Sequence, residues 1–286
     1  METINKLLKD LAIDLANERT VISSNEAFRT HLNYVWFMED ITRNLKIQHK
    51  IDIRKEIKQT KKGEDLLNKK INLIKLIIKN LNGEHKIIKN NIEFSEICVP
   101  WVAVKAYYLI FNSMLILEYL ITCDVNSFKA GHKAILERFK NNVKSKIFSF
   151  NDGFFYRIVP YEEIKKWKLP LGHNLKLPQN IDPEIRFKGI LRKLFDYALV
   201  DFSRNKHNLK DRRKFIQNAS LNICEFFYWY RIKSNYRDLE FLDKDIHMVD
   251  FFRFYHSYFN ALKNFYVALK ELINNLSFRR LNRKIL

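Results

Sequence analysis

The sequence predicts an all-α fold, an elongated or two-part helical bundle, on three observations. Only 6 Gly and 5 Pro occur in 286 residues, too few for many tight turns, barrel corners or glycine-lined cofactor loops. Apolar residues recur at the three- and four-residue spacing of helices along most of the chain. Hydrophobic residues make up 47% and aromatics 14%, enough to bury a substantial core and to set aside overall disorder.

The first element, METINKLLKDLAIDLANE, puts Ile4, Leu7, Leu8, Leu11 and Leu15 on one side and reads as an amphipathic helix. Ser24 or Asn25 is placed to cap a second helix through HLNYVWFMEDITRNLKIQHK. IDIRKEIKQTKKGEDLLNKK is compatible with further helix, interrupted at Gly63, and INLIKLIIKNLNGEHKIIKNNIEF adds an apolar run that gives way at Asn82-Gly83 to a more polar connection. Residues 1–90 thus form an N-terminal helical lobe. The strongest buried element is VPWVAVKAYYLIFNSMLILEYLITC, starting near Pro100 because proline suits a first turn and breaks an interior. Val104, Tyr108, Phe111, Leu115 and Tyr119 share one large face of it, and Ala103, Ala106 and Ser113 admit close neighbours. A shorter amphipathic helix follows Gly131, over about 133–147.

Gly153, Pro160, Pro170, Gly172, Pro178 and Pro183 then fall close together, which predicts an insertion at about 150–184 anchored by Phe154, Phe155, Tyr156 and Trp167. Helical spacing resumes near 185 in IRFKGILRKLFDYALVDFSR and continues through LKDRRKFIQNASLNICEFFYWYRIKSNYRDLEFL as one or two elements. HMVDFFRFYHSYFNALKNFYVALKELINNL is the last helix, completing a second bundle over 98–276, and 277–286 is a basic tail.

Several classes are excluded. Cys98, Cys123 and Cys224 form neither a paired scaffold nor a closely spaced ligand set, and the opening charges come too early for a secretory signal, so a cytoplasmic setting is expected. Lys105, Asn112 and Glu118 interrupt the most apolar stretch, so no membrane partner is expected. HxxxH, grouped Cys/His, a P-loop and a dinucleotide fingerprint are all missing from the sequence, so neither a metal nor a cofactor is expected.

The charge points to acidic partners: 51 Lys plus Arg against 32 Asp plus Glu leave +19. It concentrates in RNKHNLKDRRK, where Arg204, Lys206, Lys210, Arg212, Arg213 and Lys214 can contact nucleic-acid phosphates, and again at Arg279, Arg280, Arg283 and Lys284. Coulomb attraction to phosphate does not choose between RNA and DNA, an acidic protein would also serve, and a solvated surface accounts for the same pattern. FFYWYRIKSNY and FFRFYHSYF could stack single-stranded bases, although successive residues radiate around a helix, so most of these rings should be core.

One cluster has sharper chemistry. Arg231, Asn235 and Asp238 lie at offsets of four and seven, on one side of a helix, with Tyr236 close by and Lys233 flanking. Arg231 can neutralise a phosphate, Asn235 can orient a hydroxyl or base, and Asp238 can orient the Arg or accept a proton; an internal Arg-Asp pair is the structural alternative. Arg204 with His207, or Arg253 with His256, can share a face for acid/base work, and a distant His132 can converge in space.

KAYYLIFNSMLILEYL, the GHK of Gly131 to Lys133, and YRIKSNYRD resemble the HEPN group of helical-bundle proteins, many of them linked to RNA cleavage, toxin systems or antiphage defence. The resemblance covers about 98–276, with 150–184 as an insertion and the first 90 residues outside it. It implies RNA in preference to DNA as partner, and a homodimer, because ribonuclease members often assemble an Arg and a His, four to six residues apart, across a dimer. Arg231 occupies the first of these positions; Tyr236, Arg237 and Asp238 stand where the His would fall. The resemblance therefore implies an altered or noncatalytic RNA-associated member. Alternatively it implies a metal-independent RNA endonuclease in which Arg231, Tyr236, Asp238 and His256 are the catalytic candidates. A regulatory helical subunit that meets an acidic protein is the third reading.

Overall fold

A computed structural model describes residues 21–49, 60–167, 182–204, 208–236 and 246–286, without the side chains of Arg204, Asn235 and Tyr236. The described chain is all-α apart from four three-residue strands. The first expected helix, before residue 20, lies outside the described residues.

The centre is α3 (Phe94–Thr122), packed against α10 (Met248–Leu281), α2 (Lys61–Asn90), α9 (Phe226–Tyr236) and α4 (His132–Lys144). Helix α1 (Glu26–Thr42) also packs on α10. Burial on several sides explains the composition of α3: Val102, Ala106, Leu109, Ile110, Leu117 and Leu120 are all enclosed. By length and composition α3 is apolar enough to cross a membrane, but 67% of its most apolar window is buried among the other helices. Ala103, Ala106 and Ser113 are buried as their size suggested.

Several boundaries follow from local chemistry. Asn25 caps α1, its Oδ1 accepting from the Phe28 amide at 2.9 Å. Thr60 caps α2 by accepting from the Gly63 amide, and Gly63 fits closely there, because an added Cβ would stand 3.0 Å from the Tyr119 hydroxyl, which would have to give way. Other boundaries depart from expectation. Helix α3 starts at Phe94, ahead of Pro100, which sits inside it; a proline this near the N-terminus forfeits one hydrogen bond, to the Glu96 carbonyl. Helix α2 runs straight through Asn82-Gly83. Gly83 is exposed with open space around it, and a helix held by Leu67, Ile71, Ile74, Leu81 and Ile88 on one buried face absorbs the roughly 1 kcal/mol that a glycine costs.

The stretch 148–167 is built from short pieces. Strand β1 (Ile47–His49) pairs antiparallel with β2 (Phe148–Phe150); α5 (Gly153–Tyr156), β3 (Ile158–Pro160) and α6 (Tyr161–Lys166) follow. Strand β3 pairs antiparallel with β4 (Ser220–Asn222). Between them α7 (Pro183–Arg204) and α8 (Leu209–Asn218) complete the order. The run from 209 to 236 is thus divided by β4 and a short 3-10 turn at Ile223–Glu225, where the Asn222 and Glu225 side chains cap the backbone reciprocally.

No packing break separates residues 1–90 from the rest among the described residues. Phe28, Leu32, Val35 and Trp36 of α1, and Ile74 and Leu81 of α2, belong to the same buried cluster as α3 and α10. The expected basic tail is likewise drawn into the fold. Residues up to Leu281 continue α10, and buried Arg280 donates through Nε to the Leu120 carbonyl (3.1 Å) and through a terminal nitrogen to the Ile121 carbonyl (3.2 Å). These are orphan acceptors at the end of α3, where a cation is electrostatically welcome.

At the opposite end of α10, Asp250 ties the chain together. Its Oδ2 accepts from the Ile22 amide (2.9 Å), the Ser23 amide (2.7 Å) and the Ser23 hydroxyl (2.6 Å), while its Oδ1 takes Arg253 at 2.8 Å. Both Asp250 and Arg253 are fully buried.

Candidate functional site

Helix α9 explains why one arginine is held ready. Phe226, Phe227 and Tyr230 point into the core, which turns Arg231 toward α3 and α4. Its guanidinium carbon lies 4.9 Å from the Tyr107 ring centre, 5.7 Å from Tyr228 and 5.9 Å from Tyr108, within cation–π range. Arg231 is only 8% exposed, yet its Nε is buried without a hydrogen-bond partner and no carboxylate among the described residues pairs with it. A buried cation normally carries a counter-charge; here three tyrosines take that place.

His132 approaches from another helix. It is the first residue of α4, behind Gly131, which offers no side chain to cap the helix. Its Nδ1 is 2.8 Å from the Tyr107 hydroxyl, and its ring lies 4.4 Å from that of Phe111. Burial lowers the His132 pKa, and the neighbouring Arg231 charge lowers it further, so the ring stays neutral near pH 7. Burial raises the Tyr107 pKa against the opposing pull of Arg231, so the phenol keeps its proton. The tautomer in which that phenol donates to Nδ1 puts the His132 proton on Nε2. Tyr228 is also pushed up, to about 12, by burial and then by Asp201; Asp201 in turn pairs with Lys133 at 2.9 Å.

The result is a guanidinium without a counter-charge, an oriented neutral imidazole and the uncapped first turn of α4, brought together by α3, α4 and α9. Amides of an uncapped helix start and an Arg fork are both anion ligands. This arrangement can receive a phosphate or carboxylate and can move a proton at His132 Nε2.

The other sequence candidates distribute differently. Asn235 and Tyr236 lie in the last turn of α9, their side chains outside the description, and Asp238 lies outside the described residues, as do Lys206 and His207. Arg204 closes α7. Lys210, Arg212, Arg213 and Lys214 are exposed on α8 and no ion pair among the described residues holds them; the helix is anchored beneath them by Phe215 and Ile216.

Lys233 requires correction as a surface contact. It is 1% exposed, its Nζ lies 2.5 Å from His31 Nε2 and 5.5 Å from the Tyr197 ring centre, and His31 is held from its other nitrogen by Tyr230. Lys233 lies two residues beyond Arg231, which on a helix turns it by about 200° to the opposite side. Arg253 and His256 do not form a working pair either. Arg253 is taken by Asp250, whereas His256 stacks with Phe252 (5.8 Å) and His85 (5.4 Å), burial lowering its pKa. Of the terminal basics, Arg279 and Lys284 line a groove of about 860 Å³ with Gln48, His49 and Asn275, while Arg283 pairs with Glu64. Among the described residues no group of three or more His, Cys, Asp or Glu is placed to hold a metal ion.

The three tyrosines were missed in the sequence, where Tyr108 counted toward the core and Tyr228 toward aromatic packing. The one available signal was the Tyr107-Tyr108 pair next to Phe111, an unusual density of phenols on a core helix. Comparison with protein-family models, with curated proteins and with solved structures finds no match.

Proposed function

We propose that this chain is a helical nucleic-acid-associated protein that binds RNA in preference to DNA, holding a backbone phosphate at Arg231. The observation that carries the reading is a guanidinium 8% exposed, walled by aromatic rings and lacking a counter-charge, beside the uncapped start of α4. An incoming phosphate supplies that missing charge. The exposed cations of α8 supply sequence-independent attraction. With the HEPN resemblance, the biological setting is antiphage defence or a toxin system.

The test is titration of a labelled single-stranded RNA by fluorescence anisotropy, with a DNA of the same sequence alongside. Replacing Arg231 by Gln should weaken RNA binding at least about tenfold, the worth of a charge-assisted hydrogen bond, with the circular dichroism spectrum unchanged. Equal affinity in the variant removes Arg231 from the interface. Binding to an acidic protein in place of RNA would favour the regulatory-subunit reading.

A second reading, the metal-independent RNA endonuclease, is supported by one observation: the histidine lacking after Arg231 in sequence is matched by His132 from α4, its Nδ1 fixed by Tyr107. In this reading Arg231 offsets charge on the transferring phosphate and His132 exchanges the proton at Nε2. Cleavage of an RNA pool in the presence of a chelator, abolished by His132→Gln with binding retained, is the expected result. No cleavage by the wild type across broad pools rejects the enzyme and leaves the binding protein.

A further inference from the structure

One face of α3 changes character along its length. Ile97, Trp101, Val104, Tyr108, Phe111, Leu115 and Tyr119 follow one another at three- and four-residue steps, so they form a single stripe. Leu115 and Tyr119 are sealed in the core at 1% exposure each, Val104 and Phe111 are half-buried, and Tyr108, Trp101 and Ile97 stand open at 38%, 57% and 62%. Arg231 lies at the point where the stripe leaves the core, next to Tyr108. The nearest other cation on α3, Lys105, is held by Glu84 of α2, so it does not compete for a ligand. Trp36 and Trp229 are buried, which makes the exposure of Trp101 a departure from how this chain treats its indoles.

We infer that Tyr108 and Trp101 form a stacking track for single-stranded RNA whose phosphate rests on Arg231. The inference rests on the phosphate reading above and adds the state of the nucleic acid and the direction it takes. Seven residues at 1.5 Å rise put the two rings about 10 Å apart along the helix, so each serves a separate base. The stripe is one residue wide, which suits flat rings presented edge to edge, and every base has a π-face to offer. Its cation without a carboxylate partner among the described residues, Arg231, is at the Tyr108 end. Glu93 and Glu96, exposed at the start of α3, repel phosphate from the Ile97 end, so Trp101 contributes stacking without a backbone contact. A duplex keeps its bases paired and inward and cannot use the track.

The experiment uses the full chain with a mixed-sequence 12-nucleotide RNA, single-stranded or annealed to its complement, and follows anisotropy together with tryptophan emission. Trp101→Ala and Tyr108→Ala should each weaken single-strand binding about tenfold, and Trp101→Ala, which lies away from Arg231, should leave duplex binding unchanged. The wild type should lose tryptophan emission on adding the single strand, and Trp101→Ala should not. Both side chains are partly exposed, so thermal melting should match the wild type and exclude misfolding. Single-strand affinity that falls in Arg231→Gln but not in the two aromatic variants overturns the track and leaves the phosphate site standing. Equal losses for single strand and duplex in Trp101→Ala also overturn it. Absence of any RNA binding by the wild type overturns the track and the phosphate reading together.

Discussion

Among the buried guanidiniums of the described residues, Arg253 and Arg231 sit under opposite conditions. Arg253 is enclosed with Asp250 at 2.8 Å, and Asp250 also receives Ile22 and Ser23. Arg231 is enclosed almost as deeply, with aromatic faces where an acid would be expected. In the first region the desolvation cost of a charge is offset inside the chain, so the pair serves architecture. In the second the offset is incomplete, so free energy remains to be gained from an external anion. Burial of a charge alone does not mark function; what differs is whether the chain supplies acceptors for it, as it does for Arg253, Arg280 and Lys233 and does not for Arg231.

The largest expected effect breaks the first region. Asp250→Ala removes the acceptor for three donors of residues 22 and 23 and leaves Arg253 buried without that partner, at a cost of about 3–5 kcal/mol. Urea unfolding should show this as a lower midpoint with an unchanged slope. Arg231→Gln should cost less than about 2 kcal/mol, the range of the cation–π contacts it gives up. If both variants lose stability equally, the contrast between the two sites is void.

A smaller effect separates two histidines by pH. Burial, then His256, Lys89 and Lys263, push the His85 pKa down to about 4. The unfolded chain binds that proton near pH 6.5. Stability from His85 is therefore fully present above about pH 6.5 and is lost as pH falls toward 4. His85→Gln should flatten the melting temperature over that window. His132, also depressed, sits beside the proposed phosphate site, so its protonation below pH 6.5 should tighten RNA binding as it weakens the fold. Affinity measured from pH 7 to 5 in His132→Gln and wild type isolates this term; identical profiles remove His132 from the ligand.

The mildest change is at the surface. Reversing Lys210, Arg212 and Arg213 to Glu should leave melting unaltered and make the slope of log affinity against log salt shallower by about 2 if all three meet single-strand phosphates. An unchanged slope assigns α8 to solubility alone.

Much of the architecture was legible because it is local. The Asn25 cap, the long final helix and the helix after Gly131 each follow from capping chemistry or periodicity within one segment. Asn82-Gly83 misled because a turn signal is only a local preference, and burial of Ile74, Leu81 and Ile88 outweighs it. Basic residues at the end of the chain suggested a tail because sequence does not show that the carbonyls of Leu120 and Ile121 need a donor. For the candidate site, Arg231 was recognisable by residue type, but its partners were not. Tyr107 and His132 are far from it in the chain, and the seam expected along Asn235 and Asp238 directed attention down its own helix. The stripe on α3 was read as one buried face, since periodicity identifies which residues share a side and is blind to where the neighbouring helices stop.

The Asp250 tie also has a consequence in time. Ser23 is bonded to a residue 227 positions later, and at about 5–20 residues per second that partner leaves the ribosome on the order of ten to fifty seconds afterwards. Until then α1 has no α10 on which to lay Phe28, Leu32 and Val35. In a nascent chain, α7 is the first of its partners to reach α1, and the face that carries Phe28 stays open until α10 follows.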